Sequence, residues 1–131
     1  MSRPLRINLA GGWYHVTARG HQRRAIYVDV MDRRHYLELL EETTARHRVD
    51  VHAYVLMGNH YHLLVRTPEA NLSRAIQWLN VSYSVWWNRR HRQCGSLFQG
   101  RFKAVVIEGG GWLVSLSRYI HYNPVAIQGL G

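Results

Sequence analysis

Apolar and polar positions change their period several times along the chain, and each change marks an element. Trp13 to Gly20 (WYHVTARG) alternates and is partly aromatic or β-branched, which predicts a strand. His21 to Arg24 reads as a basic turn. Asp32 is a candidate helix cap, and Tyr36, Leu39, Leu40 and Thr43 then follow the spacing of one helical face, giving a helix to about His47. Val49 to Met57 reads as a strand, Gly58-Asn59 as a turn, and His60 to Thr67 as a second strand, together an antiparallel hairpin that Pro68 ends. Leu72, Ala75, Ile76, Leu79, Tyr83 and Trp86 form a long helical stripe, with Asn71 or Ser73 as its cap and Arg89 to Arg92 at its far end. Leu97 to Ile107 reads as a strand. Gly109 to Gly111 breaks the pattern, and Trp112, Leu113, Leu116 and Ile120 start a last helix limited by Pro124.

The order β, α, β-β, α, β, α, with an antiparallel pair at its centre, predicts an α+β fold. A ferredoxin-like sandwich, an antiparallel central sheet with helices packed on it, fits this order best. Residues 1–131 show no repeat, low-complexity run or linker-like break, so one domain is expected.

Charge narrows the class of partner. Lys and Arg number 17 against 8 Asp and Glu, a formal net charge of +9, which favours a polyanion because each phosphate contact releases condensed counterions. The longest apolar runs, such as Ala104–Ile107, are too short to span a bilayer, and MSRPLRINLAGG carries no apolar stretch of a secretion signal. No membrane partner and a cytoplasmic location are therefore expected. The one cysteine, Cys94, lies in a polar stretch and can form no intramolecular disulfide.

Two constellations carry candidate chemistry. In a strand from His60 to Thr67, Tyr61, Leu63 and Val65 share the core face, and His60 and His62 stand side by side on the other. Two imidazoles so spaced can bind one divalent ion, although an isolated His-X-His pair among nine histidines is more often two solvated polar residues. Tyr119 and Asn123 are four apart on the last predicted helix and so share a face. A tyrosine there is more often a core residue, and the Asn can simply end the helix before Pro124. Acidic clusters, a phosphate-cradling Gly-rich loop and a nucleophile-elbow serine are all missing, which disfavours hydrolysis by a carboxylate-held metal pair.

His60-Tyr61-His62 within MGNHYHLLV resembles the His-hydrophobe-His motif of single-tyrosine HUH (IS200-like) transposases. YIHYNPV, from Tyr119, and FQGRFKA, from Phe98 to Ala104, resemble stretches of the REP-associated tyrosine transposase branch. The three motifs occur in the family's order, and their conjunction is far more specific than any one of them. The resemblance implies an α+β fold and a metal site made by His60, His62 and Asn123. It further implies attack by Tyr119 on a single-stranded DNA phosphodiester, giving a 5′-phosphotyrosine. Many relatives continue beyond the tyrosine helix, whereas this sequence ends at Gly131.

On that basis Mg²⁺ or Mn²⁺ is the expected cofactor and hairpin-forming single-stranded DNA the expected partner, for a monomer or homodimer. Tyr122 is the competing hydroxyl; on an ideal helix Asn123 points about 40° from Tyr119 but about 100° from Tyr122. Arg19, Arg23, Arg24, Arg89, Arg90, Arg92, Arg101 and Lys103 are candidate DNA contacts, about half of them expected to touch nucleic acid. Trp78, Trp86 and Trp87 could stack on bases but are more often core. The alternatives are a non-catalytic or domesticated nucleic-acid binder, and a metal-dependent RNA nuclease that uses water and has no need of Tyr119.

Overall fold

A computed structural model describes residues 10–107 and the backbone of residues 126–130. The elements run β1 (Gly12–Arg19), a 3-10 turn (His21–Arg23), α1 (Val30–His47), β2 (Asp50–Leu56), β3 (His60–Thr67), α2 (Leu72–His91), β4 (Lys103–Ile107) and β5 (Ala126–Leu130). The helix expected from Trp112 lies outside the described residues.

The sheet has five strands in the order β4-β1-β3-β2-β5, and every neighbouring pair is antiparallel. β1 and β2 are therefore parallel to each other with β3 between them, and α1 joins them. β3 and β4 are likewise parallel with β1 between them, and α2 joins those. Two interleaved split βαβ units of this kind are the ferredoxin-like arrangement expected from the sequence. β5 adds a strand on the β2 edge that the sequence reading did not foresee.

Alternation in the strands decides what each sheet face holds. Tyr14, Val16, Ala18, Tyr61, Leu63, Val65, Tyr54 and Leu56 meet the buried stripes of the helices: Tyr36 and Leu40 from α1, and Leu72, Ala75, Ile76, Leu79, Tyr83 and Trp87 from α2. Two of the buried tyrosines in this core donate their hydroxyls, Tyr61 to Asn80 Oδ1 at 2.6 Å and Tyr83 to Ile26 O at 2.5 Å. The opposite face carries His15, Thr17 and Arg19 of β1, His60, His62 and Leu64 of β3, and Lys103 and Val105 of β4. A smaller buried cluster of Ala53, Val55, Leu64 and Ile107 lies on that face.

Three details differ from the sequence reading. The cap of α1 is Asp29, whose Oδ1 accepts from the Asp32 backbone N–H at 3.1 Å, while Asp32 Oδ2 accepts from the Val28 N–H at 2.9 Å. Both carboxylates thus satisfy donors at the helix start, where the macrodipole favours negative charge. Asn71 occupies the cap position of α2, but its side chain donates to His47 O instead of capping. The stretch from Leu97 is a strand only from Lys103. Leu97, Phe98 and Phe102 are apolar because they plug the core from a loop in which Gly100 takes a φ of +62°.

Candidate metal and nucleic-acid site

The chemistry-bearing face is assembled at the start of β3. The Gly58-Asn59 turn is held by backbone bonds from three donors: Gly20 N–H to Asn59 O, and the N–H groups of Ile26 and Tyr27 to Gly58 O. This ties the turn to the loop that follows β1. The same loop bonds to the segment before β4, with His21 N–H donating to Leu97 O and Gln99 N–H to Arg19 O. Gln22 and Arg23 both have left-handed φ, 54° and 58°, in residues that ordinarily avoid it, so two strained positions stand beside the His60 end of the sheet.

On the sheet face away from the helices, the rings of His60 and His62 have centroids 5.0 Å apart. His60 Nδ1 lies 2.8 Å from Asn59 Oδ1. The Asn59 amide nitrogen points to Arg23 O at 3.4 Å, which orients the oxygen towards His60. An amide oxygen only accepts, so Nδ1 carries the hydrogen and Nε2 the lone pair. His62 Nδ1 is similarly engaged, 2.8 Å from His15 Nε2. Burial, with the nearby Arg19 charge, lowers the basicity of His60. Burial, then the neighbouring His15 and His60, pushes His62 down to about 4. Both rings are therefore neutral at physiological pH, the state in which imidazole ligates metals. The donor set suits a divalent ion to this extent. Among the described residues no group of three His, Cys, Asp or Glu is arranged to hold one, so any third ligand must be of another kind or lie elsewhere. Asn123, the expected third ligand, lies outside the described residues, as does Tyr119.

The tyrosines divide sharply. Of eight in the chain, Tyr14, Tyr27, Tyr36, Tyr54, Tyr61 and Tyr83 are all buried, none more than 3% exposed. Burial raises the hydroxyl pKa of Tyr27, Tyr36, Tyr54, Tyr61 and Tyr83, which removes them further from the phenolate form. Tyr119 and Tyr122 are the two left to consider.

The candidate DNA contacts fall into two groups. Arg19 is paired across the sheet with His60, and Lys103 with Thr17. Arg19, Arg23, Arg101 and Lys103 are exposed at this end of the molecule, and Arg24 is half-buried with its guanidinium 5.6 Å from the centre of the Trp87 ring. Arg89 and Arg92 are exposed at the end of α2. Arg90, between them, is engaged within the protein: it bonds both oxygens of Asp29 at 2.7 and 2.9 Å and Asp32 Oδ1 at 2.7 Å. Of the tryptophans, Trp87 is core, Trp86 is stacked on His35 at 4.0 Å, and Trp78 lies under the Arg46 guanidinium. His15 was missed by the sequence reading, because its meeting with His62 spans 47 residues and follows only from strand register.

Comparison with known proteins agrees with this architecture. The family model described as "Transposase IS200 like" matches residues 9–123. A solved REP-associated tyrosine transposase bound to a REP hairpin superposes with a TM-score of 0.78 at 19% identity, over 95% of this chain and 73% of that one. A protein of Deinococcus radiodurans proposed to be a transposase gives 0.62 at 15% identity, over 92% and 96%. A tRNA(His) guanylyltransferase from Saccharomyces cerevisiae gives 0.58 at 9% identity, over 89% and 60%, and shares the fold alone. No curated protein matches the sequence. Among the described residues no helix is long and apolar enough to cross a membrane. With 115 consecutive residues matched by the family model, the chain belongs to the IS200-like transposase family.

Proposed function

We propose that the protein cleaves and rejoins single-stranded DNA in the cytoplasm, with Tyr119 as nucleophile and His60, His62 and Asn123 as the ligands of a divalent ion. The observation that carries this reading is the pair of neutral, side-by-side imidazoles on the sheet face opposite α1 and α2 in an IS200-like transposase. Mg²⁺ or Mn²⁺ held there would polarise the scissile phosphate and offset its developing charge.

The chain's own residues supply the rest. The Tyr119 hydroxyl attacks phosphorus; an O–P bond to tyrosine forms as the P–O3′ bond breaks. The phenol loses a proton and the departing 3′ oxygen gains one. The 5′-phosphotyrosine keeps the energy of the broken bond, so a 3′-hydroxyl can later attack it and reseal the strand without ATP. Arg19, Arg23, Arg101 and Lys103 form the exposed basic rim beside His60, suited to phosphates on either side of the cleaved bond. A related transposase is bound to a REP hairpin, which supports a hairpin-forming strand as substrate here.

Incubation with a single-stranded hairpin oligonucleotide and Mn²⁺, followed by a denaturing gel, tests the reading. Wild-type protein should cleave, and His60→Ala and His62→Ala should not, with unchanged circular dichroism because neither ring is part of the helix-side core. Full cleavage by His62→Ala would contradict it.

A further inference from the structure

His15 stands in the middle of β1 on the same sheet face as His60 and His62. Its ring is half-buried and lies nearly parallel to that of His62, with an interplanar angle of 12° and centroids 5.1 Å apart. Its Nε2 is 2.8 Å from His62 Nδ1. Two ring nitrogens that close must share one hydrogen, because two lone pairs or two N–H groups would repel.

A neutral imidazole has one N–H and one lone pair, so a single shared hydrogen leaves two arrangements of the pair. If His15 donates through Nε2, His62 must carry its own hydrogen on Nε2 and has no lone pair there for a cation. If His62 donates through Nδ1, its Nε2 carries the lone pair. Asn59 decides the same choice for His60, since its amide oxygen accepts from Nδ1. Both candidate ligands therefore have Nδ1 engaged at 2.8 Å by a neighbouring side chain, Asn59 for His60 and His15 for His62.

Resting on the metal reading of His60 and His62, we propose that His15 is a positioning residue that accepts a hydrogen bond from His62 Nδ1–H and so fixes the tautomer that presents Nε2 to the ion. Ligating histidines generally rely on such a partner for ring orientation and tautomer, and losing it typically costs 10- to 100-fold in metal affinity. The acceptor here is a neutral imidazole and not a carboxylate. It orients His62 without adding a negative charge beside a site that must receive a phosphodiester.

Two substitutions separate this role from simple packing. His15→Phe keeps an aromatic ring at this position but removes the acceptor; His15→Gln replaces the ring but keeps an acceptor oxygen at similar reach. Long-range ¹H–¹⁵N spectra of protein freed of divalent ions should show the hydrogen of His62 on Nδ1 in the wild type and in His15→Gln, and on Nε2 in much of the His15→Phe population. Mn²⁺ titrations followed by the electron paramagnetic resonance of the free ion should show affinity reduced about 10- to 100-fold in His15→Phe and largely restored in His15→Gln. A His62 hydrogen on Nε2 in the wild type, which needs no substitution to observe, would overturn the proposal. So would wild-type Mn²⁺ affinity in His15→Phe alongside lost affinity in His62→Ala, which would leave the metal site itself standing. Unchanged Mn²⁺ affinity in His62→Ala would overturn the metal site and this proposal together.

Discussion

Gly20 sits where β1 passes into the loop beside the metal face, and replacing it with alanine isolates one physical effect. Its φ of −63° and ψ of 143° are ordinary for any residue, so backbone preference gives no reason for glycine. Space does. A Cβ built at Gly20 would lie 2.2 Å from Arg24 O and 3.1 Å from Ile26 Cγ2. Ordinary contact begins near 3.4 Å, so the loop backbone must retreat by about 1.2 Å (3.4 − 2.2). That backbone cannot move alone, because the Gly20 N–H donates to Asn59 O and the Ile26 N–H to Gly58 O. Forcing a methyl into such a site costs about 1–3 kcal/mol or more, against a gain of roughly 0.4–1 kcal/mol from a stiffer unfolded chain. Gly20→Ala should therefore lose about 2 kcal/mol net and lower Tm by roughly 6–8 °C in calorimetry. Gly58→Ala is the control: nothing lies within 4 Å of its Cβ, so it should be neutral or slightly stabilising. Because the displaced loop holds the turn that contains Asn59, Gly20→Ala should also weaken Mn²⁺ binding. A Tm equal to or above wild type for Gly20→Ala would refute the steric reasoning.

Other expectations follow from the charges. Asp32 is fully buried and accepts from Arg90, His91 and the Val28 N–H; Asp32→Ala strands His91 and the Val28 N–H, leaves Arg90 with Asp29 alone, and should cost about 3 kcal/mol, read by urea unfolding. The hydrogen bond from Arg90 holds the Asp29 carboxyl down to about 2, below its ordinary 3.8. Because the folded value is the lower one, this contribution is complete above about pH 4 and is lost as pH falls towards 2. Thermal melts across that window should fall less steeply in Asp29→Asn. If about four of the exposed basic side chains neutralise phosphates, affinity for single-stranded DNA should fall with a log–log salt slope near −3, and a salt-independent affinity would contradict that.

Much of the fold is legible because its strands alternate cleanly. Tyr61, Leu63 and Val65, on the face opposite His60 and His62, fix which face is core, and the structure keeps that assignment in all three. What stayed illegible depends on partners distant in sequence. Asp32 looks like a cap, yet Asp29 is the cap and Asp32 is a buried carboxylate clasped by Arg90 and His91 some 60 residues on. Arg90 looks like one of a run of solvated cations, and only the approach of the α1 start to the α2 end consumes it. Leu97, Phe98 and Phe102 have the composition of a strand but serve as a plug, a distinction no local period carries. His15 has no motif of its own; only strand register brings it to His62. The short β5 pairs on an edge, where Ala126–Leu130 offers little alternation to read.

The central claim is that Tyr119 becomes covalently joined to DNA, and mass spectrometry of the trapped adduct tests it most directly. Protein incubated with a single-stranded hairpin oligonucleotide and Mn²⁺ is denatured, digested and its nucleotide-bearing peptide sequenced. The expected result is a 5′-phosphate on Tyr119, no adduct in Tyr119→Phe although the DNA is still bound, and an adduct retained in Tyr122→Phe. A nucleotide on Tyr122, or an adduct persisting in Tyr119→Phe, would contradict it.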